Sequence, residues 1–293
     1  MPSVMQILLP YEFSPTVALV CAVSLGVYVT GLFRVRCPTS LFRAAAFLIG
    51  LALIYASLQT RFDYWSQHLF FVHRIQHLVL HHLGPFLIAL AAPGSVLYAG
   101  LPARVRTHVV DPIAGNRLAR GGYAAVQQPV VAAILFVGLI YLWLYPPVHF
   151  YSMLNVPLYN AMNWTMALDG LLFWKLMLDR RPPKPGRTLR YGVRIGMLVA
   201  VIFPQIAIGA YIALVHHDLY PVYAVCGRLW PISPMTDQTL GGLITWIPPA
   251  MMSVLGVLVV LTFWQKAENP SGRPAEVVSN PEETMRSPRD YAG

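Results

Sequence analysis

Long stretches without a charged side chain divide this chain, and they restrict its fold more than any other feature. A helix needs about 20 mainly apolar residues to cross a bilayer. Only 11% of the residues are charged, against about 25% in soluble proteins. We therefore predict an integral membrane protein from the charge-free windows, which are Phe13–Phe33, Ala44–Thr60, Ile75–Ala103, Gly121–Leu168, Ile195–His217 and Gln238–Gln265.

These windows predict an all-α, polytopic membrane helix bundle with seven transmembrane helices. The second helix is extended back to Leu41, and the third is expected to begin near Phe70. Gly121–Leu168 is long enough for two helices and is interrupted at Tyr145-Pro146-Pro147. We therefore expect a fourth helix over residues 129–144 and a fifth over 157–178.

The positions of Lys and Arg predict the orientation of the bundle. Basic residues concentrate in the loops after the first, third and fifth helices, and the opposite loops hold only Arg61 and Arg228. Cytoplasmic loops carry this excess, so we expect the N-terminus outside and the C-terminus in the cytoplasm. Residues 1–268 form the predicted transmembrane domain, and 269–293, rich in Pro, Ser, Glu and Arg, a disordered cytoplasmic tail.

The formal net charge of +9 does not indicate a nucleic-acid partner. The arginines lie in short loops between apolar stretches, as in a membrane protein, and form no basic face. We therefore predict membrane lipid as a partner and no nucleic acid. The three cysteines form no CxxC pair and predict no disulfide framework.

Histidines concentrate near the predicted outer side of the bundle. On the third helix, His73, His77 and His81 follow an i, i+4, i+8 spacing, which predicts one stripe along a helix face. Two histidines at i and i+4 can hold one metal ion. Polar groups in the hydrocarbon region are costly and usually functional, so we predict a metal site here, with interhelical hydrogen bonding as the alternative for His81 and His82.

Further ligands are expected from the outer ends of the sixth and seventh helices. His216 and His217 end the sixth helix, and Met235 and Asp237 precede the seventh. Imidazole with thioether suits copper, whereas imidazole with carboxylate also suits zinc or iron. The alternatives are a cap of the seventh helix for Asp237, an interfacial cap for His217 and packing for Met235.

An acidic residue inside the fifth helix is a separate signal. Asp169 is expected well below the outer surface, where a carboxyl group needs a partner or a water-filled cavity. His81 or His82 lies at a suitable depth. The alternative is a structural contact nearer the cytoplasmic side.

Three motifs in this order resemble those of the CtaG-type cytochrome c oxidase assembly factors. The first is His73-x-x-Gln76-His77 with Pro85 and Ala92-Pro93-Gly94, and the second is Gly170-Leu-Leu-Phe-Trp174. The third combines Leu219-Tyr220-Pro221, Ser233-Pro234, Asp237-Gln238, Gly241-Gly242 and Trp246. Two departures from the family pattern are Arg74, where Met is common, and the fifth helix, which has Asn160, Asn163 and Asp169 where a His is expected.

The resemblance implies a multi-pass protein of the bacterial inner membrane that helps to assemble oxidase copper centres. It would bind Cu(I) at the outer, periplasmic face and act with oxidase subunits or a periplasmic copper chaperone. Two other readings stay open: a copper or other metal transporter, and a haem-binding redox protein with axial histidines. We expect no enzyme, because the chain has no HExxH motif, Gly-rich phosphate loop or nucleophile elbow.

Overall fold

The computed structural model describes residues 12–35, 39–184 and 188–268. Within these ranges the secondary structure is helical, and the only β-type pairing is an isolated bridge between Lys184 and Thr188. The all-α prediction is therefore confirmed for this part of the chain. The predicted disordered tail, 269–293, lies outside the described residues.

The first half of the chain forms two long helices and a third that is built from several segments. Its helices are α1 (Pro15–Arg34), α2 (Leu41–Gln59), α3 (Arg61–His68), α4 (Phe70–His77), a π-helix (Leu78–Leu83), α5 (Gly84–Ala91) and α6 (Gly94–Gly100). Short helices then lead to the second half, namely α7 (Ala103–Val105), a second π-helix (Arg106–Val110), α8 (Asp111–Gly115) and α9 (Arg117–Val126).

The second half contains four further long helical segments. They are α10 (Pro129–Leu144), α12 (Val156–Met177), the consecutive pair α13 (Tyr191–Ala200) and α14 (Ile202–Leu214), and α16 (Pro234–Glu268). Two short helices lie between them, α11 (Pro146–Leu154) and α15 (Val222–Val225).

Four helices are long and apolar enough to cross a membrane: α1, α2, Tyr191–Leu214 and α16. The number rises to six if each of two bent pairs counts as one span, namely Phe70–Ala91 with α6 and α9 with α10. The helix α12 is 22 residues long but carries Asp169 and Lys175, and it is not among them. The chain is thus a multi-pass membrane protein by length and composition, and the count of seven stays a prediction.

The predicted limits of the two helices in the middle of the chain are confirmed. They were predictable because local capping residues determine where these helices begin. The fourth helix begins at Pro129, as predicted, where the Gln128 side chain accepts a hydrogen bond from the backbone N–H of Val131. Asn155 caps α12 in the same way. Pro at the first helical position and an acceptor before it are typical N-terminal signals.

Glycines allow the last helices to pack at backbone distance. A Cβ atom on Gly242 of α16 would lie 2.6 Å from the backbone nitrogen of Ala213, and one on Gly209 of α14 would lie 2.5 Å from Cδ1 of Trp246. No side chain larger than hydrogen fits there. The Gly241-Gly242 motif therefore serves helix packing, and α16 is held against α14.

Candidate metal centre

His73 and His77 form a buried pair on α4. Their ring centroids lie 4.4 Å apart, as expected for i and i+4 positions on one helix face. The side chains face the interior of the bundle, since His73 is 0% and His77 3% exposed. None of the four ring nitrogens forms a hydrogen bond of regular geometry, although the Ser66 backbone lies near His73 and the Asn163 side chain near His77. The pair is therefore available to a ligand.

The third histidine of the predicted stripe, His81, lies in a different type of helix from His73 and His77. A π-helix occupies Leu78–Leu83, and the Gly84 N–H bonds to the carbonyl of Val79, five residues earlier. The wider turn adds one residue to each hydrogen-bonded loop and rotates the side chains beyond it about the helix axis. His81 consequently stacks on Phe136 at 4.1 Å. His81 still lines a small cavity together with His77, so its role as a ligand stays a prediction.

His81 is the partner of Asp169, one of the two partners expected from the sequence. Its Nε2 lies 3.0 Å from Oδ2 of Asp169 on α12, and both residues are buried. Gly170, the next residue, makes this approach possible, because a Cβ atom there would collide with the carbonyl oxygen of His81. The glycine of this motif is therefore explained by the close packing of α12 against the π-helix.

A hydrogen-bond network holds Gln76, the middle residue of the first motif. Its Nε2 donates to Oδ1 of Asp63 at 2.7 Å and to the carbonyl of Ser57 at 2.8 Å. The Tyr159 hydroxyl donates to the same Asp63 oxygen at 2.7 Å. Burial raises the pKa of the Asp63 carboxyl, and the hydrogen bonds it accepts oppose that shift. Sequence reasoning missed Asp63 and Tyr159, since neither lies in a spaced motif.

A cavity of about 390 Å³ leads from the surface towards the His73/His77 pair. Glu12 and Phe13 line it where it is exposed, and Asn163 lines it where it is buried. Tyr159 also lines this cavity, and its ring lies 6.1 Å from that of His73. We name it the surface cavity; Tyr159 is the lining residue that contacts the ring of His73.

His149 of α11 lies beside the pair but is already engaged. Its ring is 5.3 Å from that of His73. Its Nδ1 bonds to the carbonyl of Trp143 at 2.9 Å, and its Nε2 to the hydroxyl of Tyr223 at 3.0 Å. Burial lowers the pKa of His149 to about 3. Both ring nitrogens of this neutral imidazole are used in hydrogen bonds, so His149 supports the position of His73 and offers no free nitrogen to a metal ion.

The structure places the other predicted ligands differently from His73 and His77. The helix α14 ends at Leu214, so His216 and His217 come after the helix, and both are exposed. Met235 is partly buried at the start of α16. The described residues show no contact between the histidine pair and any of these three side chains.

Asp237 is fully buried and caps a neighbouring helix. Its two carboxylate oxygens accept from the backbone N–H groups of Phe70 and Phe71, at 3.1 and 2.9 Å. Arg228 lies 3.4 Å from the same carboxylate. The expected alternative was a cap of its own helix, whereas Asp237 satisfies the first N–H groups of α4 instead.

Two histidines are not a complete metal site by themselves. In the part of the chain that is described, no group of three or more His, Cys, Asp or Glu residues is arranged to hold a metal ion. The pair therefore supplies open nitrogen donors and needs a further donor of another type or from another molecule.

Comparison with known proteins places the chain in one family. Residues 26–267 match the family described as cytochrome c oxidase caa3 assembly factor. The chain is also 26% identical over 285 residues to an uncharacterized protein of Mycobacterium leprae (strain TN). That match covers 92% of this chain and 41% of the relative, so the chain spans less than half of that protein's length. No solved structure matches the chain. The family match covers most of the sequence and contains all three motifs, so the chain belongs to the cytochrome c oxidase caa3 assembly factor family.

Proposed function

We propose that this protein binds copper at the His73/His77 pair and helps to deliver it to the copper centres of a cytochrome c oxidase. The observation that carries the proposal is the set of four buried imidazole nitrogens without a partner. A buried polar group without a hydrogen bond costs about 1–3 kcal/mol. A metal ion shared by the two rings would offset that cost.

The chemistry around the pair favours Cu(I) over zinc. Imidazole and thioether are donors that copper accepts, whereas zinc more often takes thiolate or carboxylate as well. His77 and Met166 line one small interior cavity together. Met166 is therefore a thioether candidate for a third donor. Asp237, the closest predicted carboxylate, is engaged by α4 and Arg228.

The proposed topology has seven spans with the N-terminus outside and the C-terminus in the cytoplasm of a bacterial inner membrane. The long helix α12 would be the additional span, since its buried Asp169 is paired with His81 and not open to lipid. The clusters of Arg and Lys in alternate loops support the sidedness. The His73/His77 pair would then lie in the outer half, within reach of periplasmic partners.

Exchange of copper with oxidase subunits or a periplasmic chaperone would use the surface cavity. Its lining combines the Asp63 carboxyl with the amides of Gln67 and Asn163. The exposed His216 and His217 and the partly buried Met235 stay predicted ligands, and a docking partner would have to bring them into use. This step rests on the family likeness and the exposure of those residues.

A metal transporter is the second candidate, and one observation favours it. Polar residues continue along the same helix beyond the pair, to His81 with Asp169 and to His82. Metal uptake into proteoliposomes that contain the purified protein separates transport from delivery.

Metal analysis of purified full-length protein tests the proposal. We expect about one copper per chain after Cu(I) loading, and none in the double variant His73→Ala/His77→Ala. The matched control is His108→Ala, because His108 is exposed on the second π-helix. In a deletion strain, wild type and the control would restore oxidase activity, and the double variant would not.

Three outcomes would overturn the proposal. Equal copper content in the double variant and the wild type would place copper elsewhere. Copper uptake into vesicles would replace delivery by transport. A stoichiometric Soret band in the purified protein would assign the histidines to haem instead.

A further inference from the structure

We propose that Arg74 forms a binding site for a small monovalent inorganic anion, of the chloride type, inside the helix bundle. The site shares a small cavity with His77 of the histidine pair, and its positive charge comes from Arg74. It goes beyond copper binding and does not depend on it, because an anion can be measured in metal-free protein.

Arg74 is a buried cation without a counter-charge. The residue is 4% exposed, and its Nε and Nη2 atoms have no hydrogen-bond partner. Its guanidinium carbon lies over the face of the Phe70 ring, 5.6 Å from the ring centroid. In the described chain no carboxylate lies within ion-pair distance of it. Such a charge inside a membrane protein is costly unless an anion balances it.

The nearest carboxylates are already used by other groups. Asp237 accepts from the N–H groups of Phe70 and Phe71 and pairs with Arg228. Asp169 pairs with His81. Neither can neutralise Arg74 without giving up a buried bond. The balancing charge therefore has to come from outside the chain.

A cavity of about 20 Å³ lies next to Arg74. A sphere of water size needs about 10–15 Å³ by this kind of measure, so the cavity accepts one small ion or water molecule. Its polar lining residues are Arg74, His77, His81, His82 and Thr245, and no acidic residue lines it.

The lining offers donors to an anion. The guanidinium has two unpartnered nitrogens, and His77 and His82 each have an unpartnered Nδ1. A guanidinium only donates, and a neutral imidazole presents one N–H. The Thr245 hydroxyl donates its proton to the carbonyl of Gly241, so the N–H donors for an anion come from Arg74 and the imidazoles. Positive charge, N–H donors and a single-ion volume together match chloride.

Anion binding is tested on purified, metal-free, full-length protein in detergent. Radiolabelled chloride should bind in a saturable way, at about one ion per chain. The midpoint of thermal unfolding should rise from sodium gluconate to sodium chloride at equal ionic strength. In Arg74→Gln we expect chloride affinity to fall by at least about tenfold, the loss expected for a charged hydrogen bond. Arg117→Gln, which removes an exposed cation, is the matched control and should bind chloride like the wild type.

Two results would overturn the proposal. One is the absence of stoichiometric chloride binding to the wild type, which would mean that water fills the cavity. The other is equal chloride affinity in Arg74→Gln and the wild type. If Arg74→Gln fails to fold, the wild-type chloride measurement and Arg74→Lys decide. Lysine keeps the charge and should retain part of the chloride dependence.

Discussion

Two pairs of histidines on one continuous helical segment lie in different surroundings. The N-terminal pair is His73 and His77, whose ring nitrogens have no partner. The C-terminal pair is His81 and His82. There, His81 bonds to Asp169 at 3.0 Å, and His82 packs edge-on against Phe136 with its ring centroid 5.1 Å away. All four ring nitrogens lack a partner in the N-terminal pair, whereas in the C-terminal pair His81 is held by Asp169 and each ring keeps an unpartnered Nδ1.

The C-terminal pair lies within a π-helix, whereas the N-terminal pair lies in the α-helix before it. The π-helix begins at Leu78, directly after His77, and ends at Leu83. A π-type turn inserted in an α-helix is rare and often occurs at functional sites. Within it, His81 bonds to Asp169 and stacks on Phe136, and it lines a small cavity together with His77. The change from α-helix to π-helix therefore accompanies the change in surroundings from the N-terminal pair to the C-terminal pair.

The largest expected effect comes from breaking the C-terminal pair. Asp169→Leu removes the partner of His81 and leaves a buried imidazole without a bond, so we expect a loss of about 3 kcal/mol in the free energy of unfolding. The double variant His81→Phe/Asp169→Leu should regain a large part of it, because both polar groups are gone. Denaturation in detergent measures both. Copper content should stay at the wild-type level in any folded fraction.

A smaller effect is expected at the network that holds Gln76. Asp63→Ala removes the acceptor of Gln76, Gln67 and Tyr159, and we expect about 1–2 kcal/mol of destabilisation. Gln76 then loses its orientation beside the N-terminal pair, so copper affinity should fall while the C-terminal pair is unaffected. Copper titration and thermal unfolding measure the two changes. Asp111→Ala, at an exposed site, is the control. If Asp63→Ala binds copper with the affinity of the wild type, the hydrogen-bond network around Gln76 does not contribute to copper binding by the N-terminal pair.

The sequence predicted features that depend on local chemistry. Apolar length and proline positions gave the helices, and the start of α10 at Pro129 was correct because Gln128 and Pro129 are a local signal. The partner of Asp169 was found from depth alone. A buried carboxyl needs a partner at the same level in the membrane, and few residues can supply it.

Features that depend on distant packing were not predictable. The π-helix at Leu78–Leu83 has no recognised local signal, so the sequence did not show that His81 and His82 lie within it. Asp237 caps α4 across 166 residues of sequence, whereas a local rule suggests its own helix. Asp63 and Tyr159 meet only when α3 and α12 pack together.

The smallest effect on stability, and the sharpest test of the comparison, is expected at the N-terminal pair. His73→Leu replaces two unpartnered nitrogens by an apolar side chain of similar size. The unfolding free energy of metal-free protein should therefore stay within about 1 kcal/mol of the wild type or rise. His81→Leu, the matched change in the C-terminal pair, should lower it, since Asp169 loses its partner. Chemical denaturation after chelation compares the two, and copper binding should be lost in His73→Leu only. Equal destabilisation by both changes would mean that His73 has a structural partner, and the two pairs would then have the same role.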